Sequence, residues 1–84
     1  MKNKVLIELI VPDINATYNV YIPVNKKIGS IIELLNRSVF ELSNGAFVGN
    51  NKTGLYSRET GERYAVDSLV RMTNIRNGAS LILL

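Results

Sequence analysis

The residues that most often carry chemistry are missing from this chain. It has no histidine and no cysteine. The usual general base, the usual metal ligand and the thiolate nucleophile are therefore absent, and no disulfide framework is available. Seven carboxylates and ten basic residues remain, giving a net charge of +3. The carboxylates stand singly along the chain. Glu59 and Glu62 flank Thr60-Gly61, and that placement reads as two solvated turn residues rather than an acid–base pair. Gly45, Gly49 and Gly54 lack the Gly-Lys-Ser/Thr ending and the following helix that a phosphate loop requires, so they read as a flexible loop. No catalytic residue, no cofactor site and no metal site is expected, and neither is an enzyme acting alone.

The bases give no clearer signal. Only Lys26 and Lys27 are adjacent, and Glu33, Glu41, Glu59 and Glu62 lie among the others. A nucleic-acid footprint needs a clustered basic face, so the expected role of these side chains is general solubility.

The candidates that remain are surface residues, and the elements around them decide which way they point. Eighty-four residues, 46% of them apolar, are expected to make a single domain over residues 1–84. Met1-Lys2-Asn3-Lys4 followed by an apolar stretch resembles the start of a signal peptide, but Glu8 interrupts it and no small-residue cleavage site follows. No apolar run approaches a membrane span of about 20 residues, which makes the cytoplasm the default location.

Val5 to Val11 is β-branched and short, and predicts a first strand. Pro12 to Ala16 predicts a turn. Thr17 to Ile22 alternates, with Tyr18, Val20 and Ile22 on one face and Tyr21 on the other, and Pro23 ends it. From Lys26 to about Ser43 the period becomes helical. Ile28, Ile31, Ile32, Leu35, Val39 and Leu42 form one stripe, Asn25 is a candidate N-cap, and Gly45 is expected to supply the left-handed end. Residues 46–54 predict a loop pinned by Phe47 and Val48. Leu55 to Arg58 predicts a short strand in which Leu55 or Tyr56, but not both, points outward. Glu59 to Glu62 predicts a hairpin turn, and Arg63 to Val66 a returning strand. Asp67-Ser68 is a candidate cap for a turn through Met72, and Asn77-Gly78 leads into a final strand in which Leu81 and Leu83 face the helix. One helix over a mixed sheet of four to five strands is a two-layer α+β arrangement.

That order, together with Val70-x3-Asn74-Ile75, resembles the ubiquitin-like β-grasp over nearly the whole chain. Asp67-Ser68-Leu69, then Asn74-Ile75-x-Asn77-Gly78-x-x-Leu81-x-Leu83-Leu84, resembles the bacterial YukD/EsaB family, small ubiquitin-like proteins that accompany type VII (WXG100/Ess) secretion systems. The segment from Gly49 to Gly54 has no counterpart in that pattern. The resemblance implies a protein-interaction module, accessory or regulatory to such a system, with protein partners among the machine's components. It also implies that the sheet face opposite the helix is the docking surface. Tyr21 and Tyr56, rimmed by Arg58, Arg63 and Arg71, are the candidate residues there. The plainer alternative is that these tyrosines and arginines only keep that face soluble. Ubiquitin and the sulfur carriers of this fold act through a flexible Gly-Gly tail, whereas Leu81-Ile82-Leu83-Leu84 reads as a strand with branched side chains. A chain that is not conjugated is therefore expected. A sulfur-carrier-like protein, or a small basic nucleic-acid-binding domain, are the alternative readings.

Overall fold

Residues 3–84 are described by the computed structural model; Met1 and Lys2, the start of the basic N-terminal stretch, lie outside the described residues. Strand β1 (Lys4–Val11) and strand β2 (Ala16–Pro23) form an antiparallel hairpin in which Lys4 faces Pro23 and Val11 faces Ala16. The link between them is a 3-10 turn, Pro12–Ile14. Proline suits its first position because no backbone donor is needed there. Asn15 closes the turn in the left-handed region at φ 50°, which Asn tolerates better than most residues.

Helix α1 spans Ile28–Leu42. Ile28, Ile31, Ile32, Leu35 and Val39 are buried as the stripe predicts, but Leu42 is 56% exposed. The last turn has passed the edge of the core by then. The Asn25 cap does not form. The helix starts from Lys27 without a side-chain cap, and the N–H groups of Ile28 and Gly29 donate instead to the carbonyls of Ser68 (2.8 Å) and Val66 (3.0 Å). A late segment of the chain thus satisfies donors that a local side chain would otherwise have to meet. At the far end, Gly45 N–H donates to Phe40 O (2.8 Å) and Asn44 N–H to Glu41 O (3.1 Å). This is a Schellman ending. Asn44 (φ 53°) takes the left-handed position assigned above to glycine, and Gly45 (φ 82°) follows it.

Strand β3 is Leu55–Ser57 and strand β4 is Ser80–Leu83. The sheet order is β2-β1-β4-β3. β1 and β4 are parallel, and the other pairs are antiparallel. The returning strand Arg63–Val66 does not form. It is reduced to a single bridge between Tyr56 and Arg63 and two bonds, Ser57 N–H to Glu62 O and Tyr64 N–H to Leu55 O. The candidate cap at Asp67-Ser68 also fails: the turn is a 3-10 turn over Val70–Met72 begun from Leu69 without a side-chain cap. It is held by Val70 N–H on Lys26 O and Arg71 N–H on Val24 O, 3.0 Å each.

The core is one apolar layer between α1 and the inward sheet face. Ile7, Leu9 and Val11 come from β1, Ile22 from β2, Leu55 from β3, and Leu81 and Leu83 from β4. Phe47 joins them as expected, but Val48 is 70% exposed and pins nothing. Each buried Leu or Ile contributes roughly 1.5–3 kcal/mol by leaving water. The core therefore fixes register, because a slip by one residue would turn these side chains out.

Candidate functional site

The helix covers one side of the sheet, so the residues of opposite parity on each strand form the open face. Strand pairing arranges them in three rows across the sheet. The first row is Tyr21 beside Leu6, closed by Gly78, whose N–H donates to Leu6 O, and by Asn77, whose Oδ1 accepts from Leu6 N–H at 2.7 Å. The second is Asn19, Glu8 and Ser80, with Arg58 next to Ser80. The third is Thr17, Ile10, Ile82 and Tyr56, with Arg63 bridged to Tyr56.

Alternation predicts the outward direction of Tyr21, and the structure decides the alternative at Leu55 and Tyr56 in favour of Tyr56. Leu55 is buried and Tyr56 points out; Tyr21 is 53% exposed. They do not meet. Tyr21 lies in the first row on one edge strand and Tyr56 in the third row on the other. Strand rise and spacing put them about 20 Å apart. The polar second row separates them. Glu8 sits at its centre, half-buried, and accepts a hydrogen bond from Ser80 Oγ at 2.9 Å. A single patch containing both tyrosines is therefore not what the fold makes.

The third row is the more continuous apolar surface. Ile10, Ile82 and Tyr56 are all half-buried neighbours. The Arg63 guanidinium carbon lies 6.0 Å from the centre of the Tyr56 ring, within the range of a weak cation–π contact. Gly54 makes that position possible: a Cβ there would lie 2.7 Å from Arg63 Nε and 3.1 Å from Tyr56 Cε1. Arg58 flanks this end of the face. Arg71 does not, because its N–H is bonded to Val24 O beyond the end of β2, whereas the third row meets β2 near its start at Thr17. The sequence reading missed Leu6, Glu8, Ile10 and Ile82. The parity of Glu8 within β1 was the available signal, since Leu6 and Ile10 share its face.

Glu59 is exposed in its turn, as is Glu62. A cleft of about 370 Å³ opens beside the second row, where Ser57, Arg58, Tyr64, Asn74 and Ser80 supply polar groups. Four of these are already engaged: Tyr64 Oη donates to Asn74 Oδ1 at 2.6 Å, Ser80 Oγ donates to Glu8, and Ser57 Oγ accepts from Thr60 N–H at 3.3 Å. Among the described residues no group of three or more His, Cys, Asp or Glu could hold a metal ion. No helix there is long and apolar enough to cross a membrane.

One helix packed on a mixed sheet of order β2-β1-β4-β3 has many counterparts among solved structures. The fold is the ubiquitin-like β-grasp. A ubiquitin-like domain from Arabidopsis thaliana superposes with a TM-score of 0.69 at 12% identity, over 98% of this chain and 77% of that one. A chain of the ESX-5 inner membrane complex gives 0.72 at 11% identity, over 98% of this chain but 21% of its own length. A chain of the toluene 4-monooxygenase HD complex with 4-bromobenzoate gives 0.75 at 7% identity, over 95% of both chains. No family model matches the chain, and no curated protein matches its sequence. Likeness at these identities establishes the architecture alone, and one architecture serves proteins as different as these three.

Proposed function

We propose that this β-grasp domain is a protein-interaction module that docks through the Ile10–Ile82–Tyr56–Arg63 end of its open sheet face, with Arg58 on the rim. The observation that supports it is the third row itself: three half-buried apolar side chains in contact register on the uncovered side of the sheet, ending in an aromatic–guanidinium pair. Aromatic and arginine side chains at the centre of an apolar patch are the residues that most often dominate protein binding. Tyr21 and Arg71 fall outside this patch and are not assigned to it.

The module is further proposed to act as an accessory or regulatory component of a type VII secretion system, with partners in that machinery. The C-terminal pattern that resembles the YukD/EsaB family supports this, as does the fold shared with part of a chain in the ESX-5 inner membrane complex. Genes for WXG100 proteins and an FtsK-type ATPase beside this one are expected.

The test is affinity capture from native cells with the wild-type chain and with Tyr56→Ala, Ile82→Ser and Arg63→Ala. A partner held by the wild type and weakened at least about tenfold by each variant fits a buried binding centre. Capture that is unchanged in all three, with each variant folded by circular dichroism, would sink the docking surface.

A further inference from the structure

The outer edge of β2 is bare. Val24 N–H donates to Asn3 O at 2.8 Å, so the pair 3/24 exchanges hydrogen bonds, and so do the alternate pairs Val5/Ile22, Ile7/Val20 and Leu9/Tyr18. The intervening residues of β1 turn their backbones to β4: Gly78 N–H reaches Leu6 O, and Glu8 N–H reaches Ala79 O. Their partners on β2, Thr17, Asn19 and Tyr21, therefore turn N–H and C=O away from the sheet. No group elsewhere in the described chain bonds to them. Exposed edges are usually blunted by a charge, a bulge or a proline. Ala16–Pro23 has no charged residue, pairs without a bulge over its whole length, and has its one proline at the very end.

We propose that two copies of this chain pair through these edges, β2 against β2 antiparallel, with the two-fold axis at Asn19. A strand pairs with its own copy only if it is complementary to itself, and this one is. Centred on Asn19, Thr17 faces Tyr21 of the second copy on the open side, and Tyr18 faces Val20 on the helix side. Every aromatic side chain meets a β-branched one, a favourable cross-strand pairing. Thr17, Asn19 and Tyr21 then exchange about six backbone bonds, using all three free donors.

Charge selects the direction. Antiparallel pairing brings the Pro12–Ile14 turn before β2, with exposed Asp13, to the same end as the segment after β2 of the second copy, where Lys26 and Lys27 are exposed. Parallel pairing would set those lysines against each other. The resulting eight-stranded sheet leaves Ile10, Ile82 and Tyr56 uncovered, because edge pairing extends the sheet in its own plane and does not cover its open face.

The test uses the 84-residue chain in sedimentation velocity from about 1 μM to about 1 mM. A monomer–dimer equilibrium is expected. Asn19→Lys, which places like charges opposite each other at the axis, should weaken it at least about tenfold. Since the chain has no cysteine, Asn19→Cys provides a second measurement. Its Cα atoms would lie about 5.5 Å apart across the axis, within disulfide range. Oxidation should cross-link it at least about ten times faster than Thr60→Cys, which is exposed in the far hairpin turn. A chain that stays monomeric throughout, with Asn19→Cys no faster than Thr60→Cys, overturns the pairing. So does a dimer that Asn19→Lys leaves intact.

Discussion

Gly49 shows how one absent side chain can shape a loop. A Cβ at that position would lie 2.2 Å from Asn36 Cγ and 2.3 Å from its Oδ1. The loop therefore lies directly on the helix, over an Asn36 Oδ1 that is buried without a hydrogen-bond partner. Gly49→Ala is expected to cost about 1–3 kcal/mol, the range for overpacking a tight site. Asn36→Ala in the same chain should restore much of that loss. A double-mutant cycle by urea unfolding measures the coupling, and additive losses would show that the two residues do not collide. Nothing in the local sequence indicates this contact, because residues 36 and 49 sit on different elements and spacing carries no information about their approach. The outward direction of Tyr21, in contrast, was legible from alternation alone, since strand side chains reverse at every step; alternation left Leu55 and Tyr56 as alternatives, and the burial of Leu55 decides between them.

At the scale of elements, periodicity located α1 and misjudged its last turn. Leu42 matches the stripe but lies beyond the covering sheet. Leu42→Ser is therefore expected to change stability by less than about 0.5 kcal/mol, whereas Leu35→Ala, at a fully buried position of the same stripe, should cost about 2–5 kcal/mol. Unfolding midpoints of the two variants distinguish an exposed from a packed position. Strand β4 makes a second element-scale prediction. Leu81 and Leu83 are buried, and Leu84 exchanges both backbone bonds with Gly54, at 2.8 and 3.0 Å. Residues 80–84 are thus held in the sheet, and Leu83→Ala is expected to cost about 2–5 kcal/mol, read from the urea midpoint. The missing fifth strand has a physical cause too: Gly61 (φ 75°) turns the chain back, but only the bridge at Tyr56 and Arg63 and its flanking bonds form before residues 65–68 leave to meet the start of α1.

For the whole molecule, charge distribution matters more than net charge. Lys4, Lys26, Lys27, Arg37, Lys52, Arg58, Arg63, Arg71 and Arg76 are all exposed, and they are spread over the strands, the helix and the loops. Nucleic-acid affinity grows with the number of phosphates met at once. Mixed DNA and RNA are therefore expected to show no retention in gel shift at about 150 mM salt, near physiological ionic strength; tight binding there, lost steeply as salt rises, would revive a nucleic-acid role. The α+β class, the hairpin, the approximate span of the helix and the inward residues of β2 and β4 were legible in the sequence. Those features are written in local period, and local period is set by backbone geometry within a few residues. The strand order, the splitting of the open face by Glu8, the separation of Tyr21 from Tyr56, the choice between Leu55 and Tyr56, and the bare edge of β2 came from the folded chain. Each depends on which distant segments become neighbours, and a parallel β1–β4 pairing across some seventy residues is fixed by burial of the whole core rather than by any pattern within a strand.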